Sequence, residues 1–138
     1  MGLAALVEEL QERVLLPCVA GDPAVPGTPT TLLNYVRRIG YRATDAAPLP
    51  DGRLLILNRG LAGLQLSAML AVADLRTVPV RKFGAQEIAT LAAPLVVENM
   101  EGVAVTQENG RTIVWLISDD DFMRLFRHTL LLKFELRL

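Results

Sequence analysis

Two short acidic segments hold the residues of this sequence that are best suited to chemistry. The first, Glu98-Asn99-Met100-Glu101-Gly102, offers two carboxylates and an amide. Carboxylate and amide oxygens are the ligands that Ca²⁺ takes in proteins. Gly102 would permit a close approach of the backbone. The segment is a candidate site for a hard cation; the alternative is a polar bend that is stabilised by the Asn99 side chain.

The second acidic segment is Asp119-Asp120-Asp121, directly after Ser118. Three adjacent carboxylates repel one another, which favours a bound cation or backbone N–H donors beside them. If the chain stays extended here, Asp119 and Asp121 share one face while Asp120 points away. One cation could then bridge Asp119 and Asp121. The alternative is a solvated turn in which the aspartates bond nearby backbone amides.

Three other polar residues are candidates for chemistry. Asp45 lies between Thr44 and two alanines, and a buried acid there would need a counter-charge, a metal or hydrogen bonds. His128 is more typical of an exposed strand edge than of a general base, because nothing nearby orients it. Ser118 lacks the G-x-S-x-G context of a serine hydrolase. Catalysis is therefore expected from the acids.

Composition narrows the possible partners and metals. The 138 residues suffice for one domain, and 14 basic against 15 acidic residues leave no positive excess for a nucleic acid backbone. The lone Cys18 excludes an internal disulfide and a cysteine-based zinc cluster, and the lone His128 excludes a multi-histidine site. Any metal would be a hard one.

Hydropathy predicts no membrane span and no secretory signal. The apolar runs 61–72 and 130–132 are shorter or more interrupted than the ~20 residues that a bilayer crossing needs. The first ten residues have no cationic start and include Glu8 and Glu9. As written, the chain is expected in the cytoplasm.

The first 30 residues are predicted to differ from the rest of the chain. Residues 3–16 have the spacing of an amphipathic helix that ends at Pro17. Residues 21–29 hold three prolines and two glycines and are predicted to form a loop. The expected division is therefore an N-terminal element, 1–30, and a β region, 31–138.

Short strands and turns are predicted after residue 31. A strand at 32–38 and a hairpin, 43–58, around Pro50-Asp51-Gly52 come first. A second hairpin, 103–118, turns at Asn109-Gly110, a pair that suits a type I′ turn. Alternation predicts its core residues. These are Val103, Val105, Ile113, Trp115 and Ile117.

Three further elements complete the predicted β region. Residues 67–74 and 129–136 are expected to be strands, and residues 86–91 one helical turn. Two hairpins that each follow an acid-bearing loop suggest a weak repeat of about 50–60 residues, the size of a propeller blade. The fold class expected from these patterns is mainly β.

Four segments, taken in order, resemble a known family. They are 44–55, 99–104, 118–122 and 129–136. In this order they resemble the C-terminal half of bacterial proteins with the phytase-like domain called "esterase-like activity of phytase". The resemblance covers residues 31–136 and implies a partial β-propeller of about three blades, truncated before its other blades. Family members are often exported, so a longer form would be periplasmic or secreted.

The resemblance also implies functional positions. Asp45, Asn99, Glu101, Asp119 and Asp120 carry over from the family pattern. Together with Asp121, these residues form two expected sets, one of Ca²⁺ ligands and one of catalytic residues. The Ca²⁺ ligands are Asp45, Asn99, Glu101, Asp119 and Asp121, and the catalytic residues are Glu101, Asp119 and Asp120. Asp45, Glu101 and Asp119 should lie nearer to one another than their separation in sequence suggests, because blade-initial acids in a propeller converge on the central channel.

Some positions depart from the family pattern. The family commonly has Asn at the place of Asp121, and Pro and Gln where this chain has Arg124 and Phe126. His128 resembles a one-residue insertion. Residues 2–6 resemble a worn family segment, which would make residues 2–7 and 13–19 two strands of a hairpin. Helix and hairpin both stay open for the N-terminus.

Two functions from different classes follow. The first is a Ca²⁺-dependent hydrolase of small phosphoric esters, weak or inactive in so short a chain. The second is a non-catalytic propeller fragment that binds a partner or self-associates through open sheet edges. A sugar-lactone hydrolase would have similar acidic ligands, but no motif supports it.

Overall fold

The computed structural model describes residues 14–19, 26–27, 30–77, 82–95, 97–119 and 129–138. Within them the chain is mainly β, as predicted. The strands are β1 (Val14–Val19), β2 (Thr30–Tyr35), β3 (Tyr41–Pro48), β4 (Leu54–Ala62), β5 (Gln65–Ala73), β6 (Lys82–Phe83), β7 (Gln86–Leu91), β8 (Asn99–Glu108), β9 (Arg111–Asp119) and β10 (Leu131–Leu136). The helical structure of these residues is one 3₁₀ turn, Leu75–Thr77. None of their helices is long and apolar enough to cross a membrane.

The strands form three sheets. Four strands make the central one, in the order β3-β4-β5-β7, and the others are β1-β2-β6 and β10-β9-β8. Every pairing is antiparallel except the two-residue contact between β2 and β6. An antiparallel four-stranded sheet of consecutive strands, interrupted only by the short β6, is the form of a propeller blade. The architecture is consistent with the predicted partial propeller.

The central sheet is buried on both faces. Leu55 and Leu57 of β4 belong to a cluster with Val114 and Leu116 of β9. Ile56, between them, belongs to a second cluster with residues of β2 and β6. Because neighbouring side chains of a strand point to opposite faces, the continuous apolar run of β4 serves both clusters.

The second predicted hairpin is confirmed. Strands β8 and β9 pair in antiparallel register, and Asn109 and Gly110 have φ angles of 51° and 76°. Two positive φ values in a two-residue loop are those of a type I′ turn. The predicted strands at 67–74 and 129–136 also form, as β5 and β10.

The predicted core of this hairpin is partly wrong. Val103 and Ile113 are buried, and Val105 is half-buried. Trp115 is only half-buried and Ile117 is 46% exposed. The fully buried side chains of β9 are instead Val114 and Leu116. In the observed register, Val103 is opposite Leu116, which turns the even-numbered residues of β9 toward the central sheet.

The helical turn predicted at residues 86–91 is wrong. This segment is β7, an edge strand that pairs with β5 through Ala89 and Leu70 and neighbouring positions. Six residues are too few to separate helical from strand periodicity. The available partner edge of β5 decides the structure.

The N-terminal helix predicted over 3–16 is wrong at its end. Residues 14–16 belong to β1, which pairs with β2. The alternative strand at 13–19 agrees with β1, whereas residues 2–7 lie outside the described residues. Pro17 does not stop the element. Within the described residues β1 has β2 as its sole partner, and an edge strand tolerates proline.

Tyr35 is expected to make stability depend on alkaline pH. Its ring is 2% exposed and stacks on Phe83 at 5.4 Å. Burial raises the pKa of Tyr35 above its ordinary value of 10.0, while the neighbouring Asn58 side chain acts in the opposite direction. The unfolded chain would therefore ionise first. This contribution to stability is complete below about pH 10 and is lost as the pH rises toward the folded-state pKa.

The measurement is urea unfolding below and above pH 10, for the unmodified chain and for Tyr35→Phe. The variant should lose less stability at alkaline pH. Tyr41→Phe is the matched control, since it removes the other tyrosine hydroxyl. Equal alkaline losses in the unmodified chain and in Tyr35→Phe would contradict the expectation.

Candidate functional site

Two β-bulges meet where β3 lies beside β8. The register of β3 against β4 shifts between Ala43 and Asp45, so that Thr44 is an extra residue. The register of β8 against β9 shifts between Met100 and Gly102, so that Glu101 is an extra residue. Bulges change the direction of side chains locally. Both bulges lie at candidate acidic residues from the sequence analysis, one beside Asp45 and the other at Glu101.

Asp45 links the central sheet to β8. Its Oδ2 accepts a hydrogen bond from the Val103 amide at 2.8 Å, and its Oδ1 accepts one from the Ala46 amide at 2.9 Å. Beside it, the Thr44 hydroxyl donates to the carbonyl of Met100 at 3.2 Å. Asp45 is exposed, so the apolar burial considered for it is wrong. The hydrogen bond from Val103 to Asp45 therefore joins β8 to β3.

Arg59 is a functional candidate that sequence reasoning missed. It projects from β4, and its Nη1 donates to Glu101 Oε1 at 2.6 Å and to Asn99 Oδ1. Asn99 is 3% exposed, whereas the side chains of Arg59 and Glu101 are 31% and 36% exposed. A charged residue within the mostly apolar β4 was an available signal, since such a residue needs a partner.

Asp119 lies next to this group. It ends β9, where it is the register partner of Asn99, and it is exposed. Asp45, Glu101 and Asp119 therefore stand on the three neighbouring strands β3, β8 and β9. The predicted positions Asp120 and Asp121 lie outside the described residues.

Gly102 lies close to another side chain where the bulges meet. A Cβ at this position would lie 2.7 Å from Ile117 Cγ2 and 3.9 Å from Asp45 Oδ2. The first distance is too short for two carbon atoms without a shift of one of them. The close approach expected at Gly102 is therefore found, and it is made by a side chain of β9.

The described oxygens of the predicted Ca²⁺ ligands accept hydrogen bonds from the chain itself. Calcium takes six to eight oxygen ligands. The Oδ1 of Asn99 and Oε1 of Glu101 instead accept hydrogen bonds from the Arg59 guanidinium, and both oxygens of Asp45 accept from backbone amides. No group of three or more acidic, histidine or cysteine side chains in the described ranges could hold a metal. A positive charge from the chain itself stands between Asn99 and Glu101.

The Arg59 guanidinium makes both of its hydrogen bonds through one nitrogen, Nη1. Nε and Nη2 have no hydrogen-bond partner among the described residues, so this edge of the group is open to another acceptor. The contacts to Asn99 and Glu101 fix the orientation of the planar group. A fixed guanidinium with donors to spare and partial exposure can bind an anion with two oxygens.

One comparison with known proteins gives a match. The family model for phytase-like proteins, described as "esterase-like activity of phytase", matches residues 5–122. No curated protein and no solved structure matches the chain. The matched residues include Asp45, Arg59, Asn99, Glu101 and Asp119.

Proposed function

The chain belongs to the phytase-like family described as "esterase-like activity of phytase", and on this basis we propose that it acts on phosphoric esters, with Arg59 holding the phosphate. The observation that carries the proposal is the guanidinium anchored at Nη1 by Asn99 and Glu101, with Nε and Nη2 open. Arginine presents parallel N–H donors at the spacing of two phosphate oxygens. The phosphate would therefore bind on the open edge of Arg59.

Glu101 is the group that could assist hydrolysis. Its Oε1 already contacts Arg59 at 2.6 Å, which places the carboxylate beside a phosphate held there. In the reaction, water would attack phosphorus and give a proton to Glu101 while the ester P–O bond breaks. The leaving oxygen would take up a proton to form the alcohol. The predicted catalytic role of Asp119 and Asp120 stays a prediction.

Turnover is expected to be weak. The carboxylates of Asp45, Glu101 and Asp119 lie on three neighbouring strands, and Arg59 pairs with Glu101. Carboxylates near a phosphate dianion repel it. The predicted Ca²⁺ site stays a proposal for the acidic segment that begins at Asp119, and the steps above need no cation there.

Arg59→Lys tests this function. The variant keeps the positive charge but loses the paired donors, so kcat/KM for a chromogenic phosphate monoester should fall about tenfold or more. Arg42→Lys is the control, because Arg42 is exposed on β3. Circular dichroism should show that both variants keep the β structure.

Adding a chelator distinguishes hydrolysis that uses the Arg59 guanidinium from hydrolysis that uses a bound Ca²⁺ ion. Hydrolysis that depends on Arg59 alone should persist when chelator is added. Hydrolysis that disappears with chelator and returns with Ca²⁺ would assign the chemistry to a bound Ca²⁺ ion, for which the acidic segment that begins at Asp119 is the proposed site. Equal activity of the unmodified chain and Arg59→Lys would overturn the role of Arg59.

A second candidate function is a non-catalytic propeller segment that associates with itself or with a partner. The observation in its favour is exposed apolar surface on the β10-β9-β8 sheet, where Ile117 is 46% and Leu131 is 59% exposed. The two positions are opposite each other in the register of β9 and β10. This candidate predicts association without hydrolysis.

A further inference from the structure

The outer edge of β10 is open within the described residues. There, β10 pairs with β9 alone. The Ser118 amide donates to the carbonyl of Leu130 at 2.9 Å, so residue 130 directs its backbone groups toward β9. Since these directions alternate along an antiparallel strand, the amides of Leu131, Lys133 and Glu135 point outward. Unpaired outward groups are a template for another strand.

A groove lies beside this edge on the side of the core. Its volume is about 210 Å³, and apolar side chains of β7, β9 and β10 form much of its lining. These include Ile88, Leu91, Val114, Phe134 and Leu136. A strand added to β10 would place every second side chain over this groove.

The other face of β10 carries two opposite charges. Lys133 lies 2.6 Å from Glu108 and over the ring of Trp115. Glu135 lies 2.9 Å from Arg137. Lys133 and Glu135 are two residues apart and on the same face. The edge therefore has one positive and one negative position that a reversed copy of the same strand can match.

We propose that β10 pairs with β10 of a second copy of this chain, antiparallel and about a two-fold axis at Phe134. Rotation about such an axis keeps every side chain on the same face of the sheet. Residues that lie opposite each other in the two copies are therefore both odd-numbered or both even-numbered. Centred on Phe134, it sets Lys133 opposite Glu135 of the second copy, and Leu132 opposite Leu136. Both pairings occur twice.

Two features select this register. An axis at Lys133 would set the two lysines opposite each other, which is unfavourable. The axis at Phe134 makes Lys133 and Glu135 of the second copy a hydrogen-bonded pair, because both direct their amides outward. It also brings leucines and phenylalanines of both copies to the groove side. This inference names the partner for the second candidate function and does not depend on Arg59.

Substitutions that reverse the charges of Lys133 and Glu135 in the full chain test the pairing. Light scattering after size exclusion, over a range of concentrations, should show a dimer of the unmodified chain. Lys133→Glu sets two pairs of glutamates face to face and should weaken the dimer at least about tenfold. Lys133→Glu with Glu135→Lys should restore it. Lys82→Glu, the same change of charge on β6, should have no effect.

Hydrogen exchange on the unmodified chain gives a test that needs no variant. The amides of Leu131, Lys133 and Glu135 should become protected as concentration rises. A monomer at all concentrations would overturn self-association altogether. A dimer that tolerates Lys133→Glu would overturn this surface while leaving self-association in place. Protection of these amides in a monomer would show that another segment covers the edge, which also overturns the pairing.

Discussion

Alanine in place of Leu116 is expected to destabilise the chain by about 2–5 kcal/mol. Leu116 is 0% exposed and belongs to the cluster between β9 and the central sheet, together with Leu55 and Leu57. The substitution would remove buried methyl groups and leave a cavity between two sheets, neither of which can move freely into it. Urea unfolding followed by circular dichroism measures the loss.

Ile117→Ala is the matched control, since it makes a similar truncation one residue later in the same strand. Ile117 is 46% exposed, and its replacement should cost no more than about 1 kcal/mol. A loss at Ile117 that equals the loss at Leu116 would contradict the observed register, because the register decides which side chains of β9 face the core.

Methionine in place of Arg59 is expected to destabilise the chain by about 1–3 kcal/mol. The variant would remove the hydrogen bond that Arg59 donates to Oδ1 of the buried Asn99 and the positive charge that Arg59 places beside Glu101. Since the side chains of Arg59 and Glu101 are 31% and 36% exposed, water would screen part of the charge effect. Urea unfolding again gives the value.

Two further variants separate the contributions at Arg59. Arg42→Met, at an exposed position of β3, should change stability by about 0.5 kcal/mol or less. Adding Glu101→Gln to Arg59→Met should recover part of the loss, because it removes the uncompensated charge. If Arg59→Met were as stable as the unmodified chain, the guanidinium would not tie β4 to β8.

The turns were predictable from the types of the residues within them and beside them. Asn109-Gly110 and the apolar strands on either side specify a hairpin on their own, since positive φ angles and strand lengths are properties of a few adjacent residues. The buried face of β9 was not predictable in the same way. Both faces of β9 carry large apolar residues, and the sheet that covers one of them comes from a distant part of the chain.

The candidate site was predictable only in part. The acids stood out by type and spacing. In the structure, Asn99 and Glu101 share the Arg59 guanidinium, and Asp45 binds the backbone of the same strand at Val103. The partners of Arg59 are 40 and 42 residues away in sequence, so periodicity carried no information about the pairing. The bulges at Thr44 and Glu101 also depend on strand register, which no short segment specifies. The Arg59 guanidinium binds the oxygens of Asn99 and Glu101, and the Ca²⁺ site predicted from the sequence stays a prediction.

The most direct test of Arg59 as a phosphate-binding residue is a titration with inorganic phosphate that follows the Nε–H resonance of Arg59 by NMR spectroscopy. The open edge of the guanidinium predicts a saturable shift of this resonance, unchanged by chelator and unaffected by Arg42→Lys. A resonance that stays in place while the amides near Asp119 shift only when Ca²⁺ is present would contradict the role of Arg59.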